Sequence, residues 1–570
     1  MTSRQGVGHE TVRRGIAFHH AGAFWLGIIA VSVGVALHLP MFLGAADMDY
    51  MLVGMDIDAT MISGMLLIVV GIAATMYGLL PRHKGSADTA AVSLRVKALD
   101  DAPIKGSHIA LLLVMAAAIT IDVMKPTMLG FVVPGMAVEY GLKSPVNPAG
   151  SLPVAWLPLA GIAGTVLGSI AWGWLGDRLG RRASILLAGV LFIATSICGS
   201  MPSFYWNMFM CFVMGLGVGG MLPITFTLMA ETIPARHRGW IMVLIGGDVA
   251  GAYIITSWLS SWLVPDFGWR ILWLVGLPTG VLLILLNRWI PESPRFLLAT
   301  GREAEARAVM ERYGAEIVPD EGSDLKVEER LSGRFGQLFK APFVGITLII
   351  TLFGIGIGLV SFGFQLWIPS NLQSLGFNGV TADRILRDSA LIGFPLNFLV
   401  AWAYGFWSSK RTMIGLASLT AAALFGFAAA GDAVADNRLL LYSLLVIPIW
   451  GISSIVAVLA AYASEVYPTR IRSRGSGLSA AASKAGGVVI IALVVAAIAP
   501  PSIAGTALIG GIPMALAALA LGLFGVETKK RRLEEITAEE LGLEQQSVAA
   551  YPEGPLTPEQ QPVAFPLDAG

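Results

Sequence analysis

The chain has 570 residues, of which 55% are hydrophobic and 13% charged, with a mean hydropathy of +0.72. A soluble globular protein carries about a quarter charged residues, so this composition excludes a water-clothed domain and indicates an integral membrane protein. The 38 basic and 38 acidic residues balance, which argues against nucleic acid as a partner. The two cysteines, Cys198 and Cys211, each in an apolar run, rule out a disulfide framework and argue against metal-thiolate chemistry.

A spanning helix needs about 20 mostly apolar residues. Fourteen runs qualify. The first two cover 16–43 and 59–80, and a polar segment, 81–106, follows. Six more lie at 107–137, 153–175, 183–202, 204–230, 240–264 and 270–290. A charged stretch, 291–340, precedes the last six, at 342–369, 386–407, 412–430, 438–464, 475–499 and 503–525. The end of the chain is rich in Pro, Gln and Glu and is expected to be disordered. The predicted fold class is all-α and polytopic. Its expected parts are a hairpin with linker (1–106), a six-helix half (107–290), a central loop (291–341), a second six-helix half (342–536) and a tail (537–570).

Lys and Arg are held on the cytoplasmic side of a membrane. Alternate loops carry Arg13 and Arg14, Arg82 and Lys84, Arg178 to Arg182, Arg236 and Arg238, Lys410 and Arg411, Arg470 to Arg474, and Lys529 to Arg532. The opposite loops are poor in bases, and the first holds Asp47, Asp49, Asp56 and Asp58. Both termini are therefore expected on the cytoplasmic face of a cell membrane. In the hairpin, Gly64, Gly71 and Gly78 recur every seven residues and allow close helix packing in lipid. His19, His20 and His38 match no strong metal-ligand spacing.

The loop "GWLGDRLGRR" carries Gly173, Asp177, Arg178, Gly180, Arg181 and Arg182 between two predicted spans. It resembles the signature loop of the major facilitator superfamily. A partial second copy, "WAYGFWSSKR", has Phe406 where the first has Asp177. "ETIPARHRG", with Glu231 and Arg238, recurs as "EVYPTRIRSRG", with Glu465 and Arg474. These charged groups at helix ends read as conformational latches. "GWR" at 268–270, "PESPR" at 291–295 and "ETKKRR" at 527–532 look like marks shared by sugar porters and their relatives. The resemblance implies two six-helix halves related by a pseudo-two-fold, with cargo between them near the midplane and alternating access.

A charge at a helix centre costs about 2.5–3.5 kcal/mol on insertion scales. Asp122, Lys125, Asp248 and Lys484 are the charges predicted inside spans. Asp122 and Lys125 share a helix face at i,i+3 and read as an internal ion pair or as a proton site beside an anion site. Aligning the two halves on Arg238-Gly239 and Arg474-Gly475 puts Asp248 and Lys484 at the same offset, either as an interhelical pair or as cavity-lining charges. A desolvated carboxyl can load and release a proton near neutral pH, so Asp122 and Asp248 are the candidate proton-coupling residues. "DVMKPTMLGFVVP" resembles the first-span signature of aromatic acid:proton symporters. Asp122, Gly130 and Pro134 match it, but Lys125 replaces its second acid. "GFQLWIPSNLQSLGF" resembles the seventh-span end of those relatives. Gln365 and Trp367 thus join Lys125 and Lys484 as candidate cargo contacts, with an interfacial anchor as the plainer role of Trp367. The glutamine motifs of true sugar porters are missing. Cys211 stands where many proton-coupled members carry Arg.

The expected function is secondary transport of a small organic anion with protons, by a monomer in the lipid bilayer. Export of drugs or metabolites, sugar or polyol transport, and a transporter-like receptor are the alternatives. The sequence implies no cofactor, no Walker-type loop and no catalytic set.

Overall fold

The computed structural model describes residues 20–79, 94–95, 103–299, 302–314, 318–319, 335–341, 343–467, 469–496 and 502–527. Among the described residues, fourteen long helices follow one another. The hairpin is α1 (Ala21–Gly44) and α2 (Ala59–Leu79). The first half is α3 (Gly106–Glu139), α4 (Trp156–Leu179), α5 (Arg181–Ser200), α6 (Phe204–Thr232), α7 (Ala235–Gly246 and Val249–Phe267) and α8 (Ile271–Trp289). The second half is α9 (Val344–Ser374), α10 (Gly379–Trp407), α11 (Ser409–Asp436), α12 (Arg438–Val466), α13 (Thr469–Val495) and α14 (Ile503–Phe524). Thirteen are long and apolar enough to cross a membrane. The remaining one, α4, has 24 residues, which is also a spanning length. Among the described residues the only strand pair is Leu94–Arg95 with Val318–Pro319, which joins the first linker to the central loop.

The boundaries match the apolar runs to within about six residues, and the largest shift is at the start of α10. That helix starts at Gly379, seven residues before the predicted 386, because Asn378 caps it by accepting from the Thr381 N–H at 2.8 Å. The added turns carry Asp383 into the helix. Within α7, a turn at Gly247-Asp248 interrupts the helical ladder, so Asp248 stands at the break.

The two halves repeat one capping device. Glu292, just beyond α8, accepts from the backbone N–H groups of Arg181 at 2.7 Å and Arg182 at 3.3 Å, at the start of α5. Glu527, just beyond α14, accepts from the Ser409 N–H at 3.0 Å and from the hydroxyls of Ser408 and Ser409, at the start of α11. Each carboxylate meets orphan N–H groups and the positive end of a helix dipole. Gly180 (φ +91°) leaves the space Glu292 occupies, since a Cβ there would collide with the carboxylate. Burial holds the Glu292 carboxyl above its ordinary value.

The hairpin packs through reciprocal glycines. A Cβ at Gly27 would lie 2.6 Å from the Gly71 carbonyl oxygen, and one at Gly64 2.7 Å from that of Gly34. The loop after α1 docks on the first half. Glu139 accepts from the N–H groups of Leu52 at 2.8 Å and Val53 at 3.1 Å. The same carboxylate pairs with the fully buried Arg270 of "GWR" at 2.7 Å. Arg270 also donates to the Met201 carbonyl at 2.8 Å and the Tyr140 hydroxyl at 2.7 Å. That motif is thus a structural knot tying α3, α5, α8 and the hairpin loop.

Candidate proton and anion site between the two halves

Helices of opposite halves touch near both ends of the bundle. At the acidic-loop end, a Cβ on Gly130 of α3 would lie 3.0 Å from the Leu366 carbonyl oxygen of α9. At the basic-loop end, a Cβ on Gly239 of α7 would lie 2.6 Å from the Glu465 carboxylate of α12. Between these contacts lies the charged site.

Asp122 of α3 is 1% exposed, and its Oδ1 has no hydrogen-bond partner among the described residues. The charge acting on it is Lys484, from α13 of the other half, and Asp122 is in turn the charge acting on Lys484. The Lys484 ammonium donates to the Ser169 hydroxyl of α4 and, at 3.1 Å, to the Gly219 carbonyl of α6. Ser169 itself donates to that carbonyl at 2.8 Å. One ammonium from the second half therefore sits among three helices of the first. Small residues admit it: a Cβ on Gly487 of α13, one turn on, would collide with Ile162 of α4.

Asp248 occupies a second interhalf position. It accepts from the Thr120 hydroxyl of α3, two residues before Asp122. Its neighbour Gly247 accepts from Asn397 Nδ2 of α10 at 3.1 Å, and the Asn397 carbonyl oxygen accepts from the Ser454 hydroxyl of α12 at 2.7 Å. Asp248 and Lys484 both lie at the interface, but each has other partners, so they are not the interhelical pair the sequence allowed.

Lys125 departs from expectation. The structure turns it away from Asp122 and into the first half's own interior. It is 1% exposed, with its ammonium 3.4 Å from the Phe192 carbonyl oxygen and 6.0 Å from that ring. Gly276 of α8 makes the room, since a Cβ there would collide with the ammonium and with the Ser196 hydroxyl. The i,i+3 spacing put the two side chains on one face, but the gap between α5 and α8 decides where the lysine goes.

Gln365 lies half-buried in a π-helical turn, Val360–Gln365, of the kind that often marks functional helices. Trp367 follows, 1% exposed, its indole N–H without a partner among the described residues. A buried indole is not an interfacial anchor. Of the latch residues, Glu465 accepts from the Tyr404 hydroxyl at 2.7 Å, Arg238 donates to the Ile233 carbonyl at 3.2 Å, and Arg474 is exposed. Arg182 donates to the Asn287 side chain at 3.2 Å. The side chains of Asp177, Arg178 and Glu231 and the environment of Gly173 lie outside the described residues. Sequence reasoning missed Asp383, which accepts from the Ser260 hydroxyl of α7 at 2.5 Å, and missed Ser169 beneath Lys484.

Residues 110–490 match the family model described as Major Facilitator Superfamily. The chain belongs to the major facilitator superfamily. As a member it is a multi-pass membrane transporter and not an enzyme. A niacin transporter of Acinetobacter baylyi is 28% identical over 399 residues, covering 69% of this chain and 88% of that one. A 4-hydroxybenzoate transporter of the same organism is 26% identical, covering 67% and 83%. The solved structure of the proton:xylose symporter XylE with a bound bromodeoxyglucose superposes with a TM-score of 0.62 at 19% identity. It covers 76% of this chain and 98% of that one. That likeness supports the superfamily fold, and the two hairpin helices are additional to the matched segment.

Proposed function

We propose that this transporter carries a small organic anion, an aromatic or other carboxylate, together with a proton. Its place is the inner membrane, with both termini cytoplasmic. The observation that carries the reading is that Asp122, buried in the first half, and Lys484, half-buried in the second, are each the charge acting on the other across the interface. The relatives support the cargo class, since niacin and 4-hydroxybenzoate are both aromatic carboxylates.

The coupling logic follows from charge. In the empty carrier Asp122 and Lys484 compensate each other, so the site is neutral and the halves can rock. Protonating Asp122 leaves Lys484 without its counter-ion. A cargo carboxylate then restores neutrality by binding the ammonium, which the Ser169 hydroxyl and the Gly219 carbonyl hold in place. A carrier holding only the proton, or only the anion, retains an uncompensated charge. At about 2.5–3.5 kcal/mol for such a charge, half-loaded carriers reorient roughly a hundredfold less often. Proton and anion therefore travel together. Asp248, hydrogen-bonded to the same helix two residues away, is positioned to relay the proton.

Purified protein in proteoliposomes tests this with labelled niacin and 4-hydroxybenzoate, with and without an inward proton gradient. Wild type should accumulate one of these acids only with the gradient. Asp122→Asn should lose accumulation but keep exchange, while Lys484→Gln should lose anion binding. Accumulation that survives collapse of the gradient, or that is normal in Asp122→Asn, would remove the proposal. Reporter fusions at both ends test the orientation.

A further inference from the structure

We infer that Asp383, with Ser260 and Tyr253, is a second proton site, which holds the acidic-loop end of the carrier shut when protonated. The inference rests on the alternating access proposed above, but not on the cargo or on the Asp122–Lys484 couple.

Asp383 lies one turn into α10, in the second half, and is 6% exposed. Its Oδ2 accepts from Ser260 of α7, in the first half, at 2.5 Å. That hydroxyl is 1% exposed. The bond therefore spans the two halves and breaks whenever α7 and α10 part. Oδ1 has no partner among the described residues. The ionisable group facing it from α7 is Tyr253, whose hydroxyl is also buried without a partner among the described residues and whose ring lies tilted, 5.5 Å from that of Phe131 of α3. Tyr253 is not a cation and offers no charge compensation. From α12, Tyr442 faces Asp388, Arg387 and Arg438 instead. The packed end of α9, Ile368–Ser374, carries no titratable residue. On α10 itself, the adjacent Arg384 is exposed, and Arg387 is paired with Asp388 at 2.6 Å.

An ionised carboxylate in such a contact lacks a counter-ion and one acceptor bond, whereas a neutral carboxyl needs neither. Closure therefore favours the protonated acid, and separation of α7 from α10 lets water solvate the carboxylate. Binding a proton and closing this end are linked, and the linkage is reciprocal. The group sits at the end opposite the basic loops, where protons of the outer compartment arrive. This site would thus shut the carrier behind an incoming proton.

The test uses the full chain in nanodiscs, without cargo, with spin labels on the ends of α7 and α10 nearest Asp383. Wild type should move from a short-distance population at low pH to a mixed or long-distance one at high pH. Asp383→Asn should remain short at all pH. Ser260→Ala and Asp383→Glu keep the titrating group and should retain the response with a displaced midpoint. Asp383→Asn keeps Asp122 and Lys484 intact, so loss of the response in that variant separates this gate from the central couple. A wild-type distribution that ignores pH, or a wild-type response in Asp383→Asn, would overturn the inference. Should Asp383→Asn not fold, an unshifted midpoint in Asp383→Glu would do the same.

Discussion

At the scale of single residues, the instructive case is the pair Asp122 and Lys125. A sequence places them one turn apart, and a helical wheel places them together. It cannot say which neighbouring helices receive each side chain, because that depends on where small residues such as Gly276 leave space. The structure gives Asp122 to the second half and Lys125 to the interior of the first. A buried ammonium with one long hydrogen bond is costly, and its replacement by an apolar side chain of similar volume is often neutral or stabilising. Lys125→Met should therefore leave the KM for the transported anion unchanged and keep or raise stability, by about 1–4 kcal/mol. Uptake kinetics with thermal melting check this. A tenfold rise in KM would return Lys125 to the cargo site. Lys484, by contrast, was legible as a charge inside a span, but its partner was not, since that partner lies on a helix some 360 positions earlier in the chain.

At the scale of elements, the apolar runs located nearly all the helices, because in lipid every backbone group must be satisfied within its own segment. The exception explains the missed acid. "NGVTADRILRDSA" fails a run-of-apolar criterion, yet its buried residues Ala382, Asp383, Ile385, Leu386, Ser389 and Ala390 recur at helical spacing. An amphipathic reading of that stretch would have placed Asp383 on the packed face. The marks "PESPR" and "ETKK" are legible as motifs, but the helix ends they cap lie far away in the sequence. Glu292 and Glu527 cap corresponding helices of the two halves. Losing such a cap costs about 0.5–2 kcal/mol, so Glu292→Ala and Glu527→Ala should each lower the melting point measurably. Glu292 adds a pH signature. Burial raises its carboxyl above the ordinary value in the folded chain, so the folded state holds that proton more tightly than the unfolded one. Its contribution is full below the ordinary carboxylate range and declines as pH rises through the raised value. Glu292→Gln cannot titrate, and a melting series from acid to neutral pH should show that decline removed.

At the scale of the whole molecule, two glycines sit at opposite ends of the interface between the halves, where the proposed rocking would open and close the carrier. Gly130 lets α3 reach the α9 backbone at the acidic-loop end, and Gly239 lets α7 reach Glu465 of α12 at the basic-loop end. Both lie where one half meets the other, so a side chain at either acts on the interface and spares the packing within a half. A leucine at Gly130 obstructs closure at the acidic-loop end and should favour carriers open there. A leucine at Gly239 should favour carriers open at the basic-loop end. Overpacking of this kind costs about 1–3 kcal/mol, which corresponds to a population shift of roughly 5- to 150-fold. Cysteine-accessibility labelling of positions near each end, in membranes of known orientation, reads the two populations directly. The decisive result is the opposite sign of the two variants. Equal shifts in one direction would mean that these contacts do not close the two ends alternately. Neither glycine touches Asp122 or Lys484, so the exchange rate at saturating cargo should fall in both variants while the proton-to-anion ratio stays fixed. That separation of rate from stoichiometry is what the proposed mechanism, two halves rocking about one site that is neutral when loaded, requires.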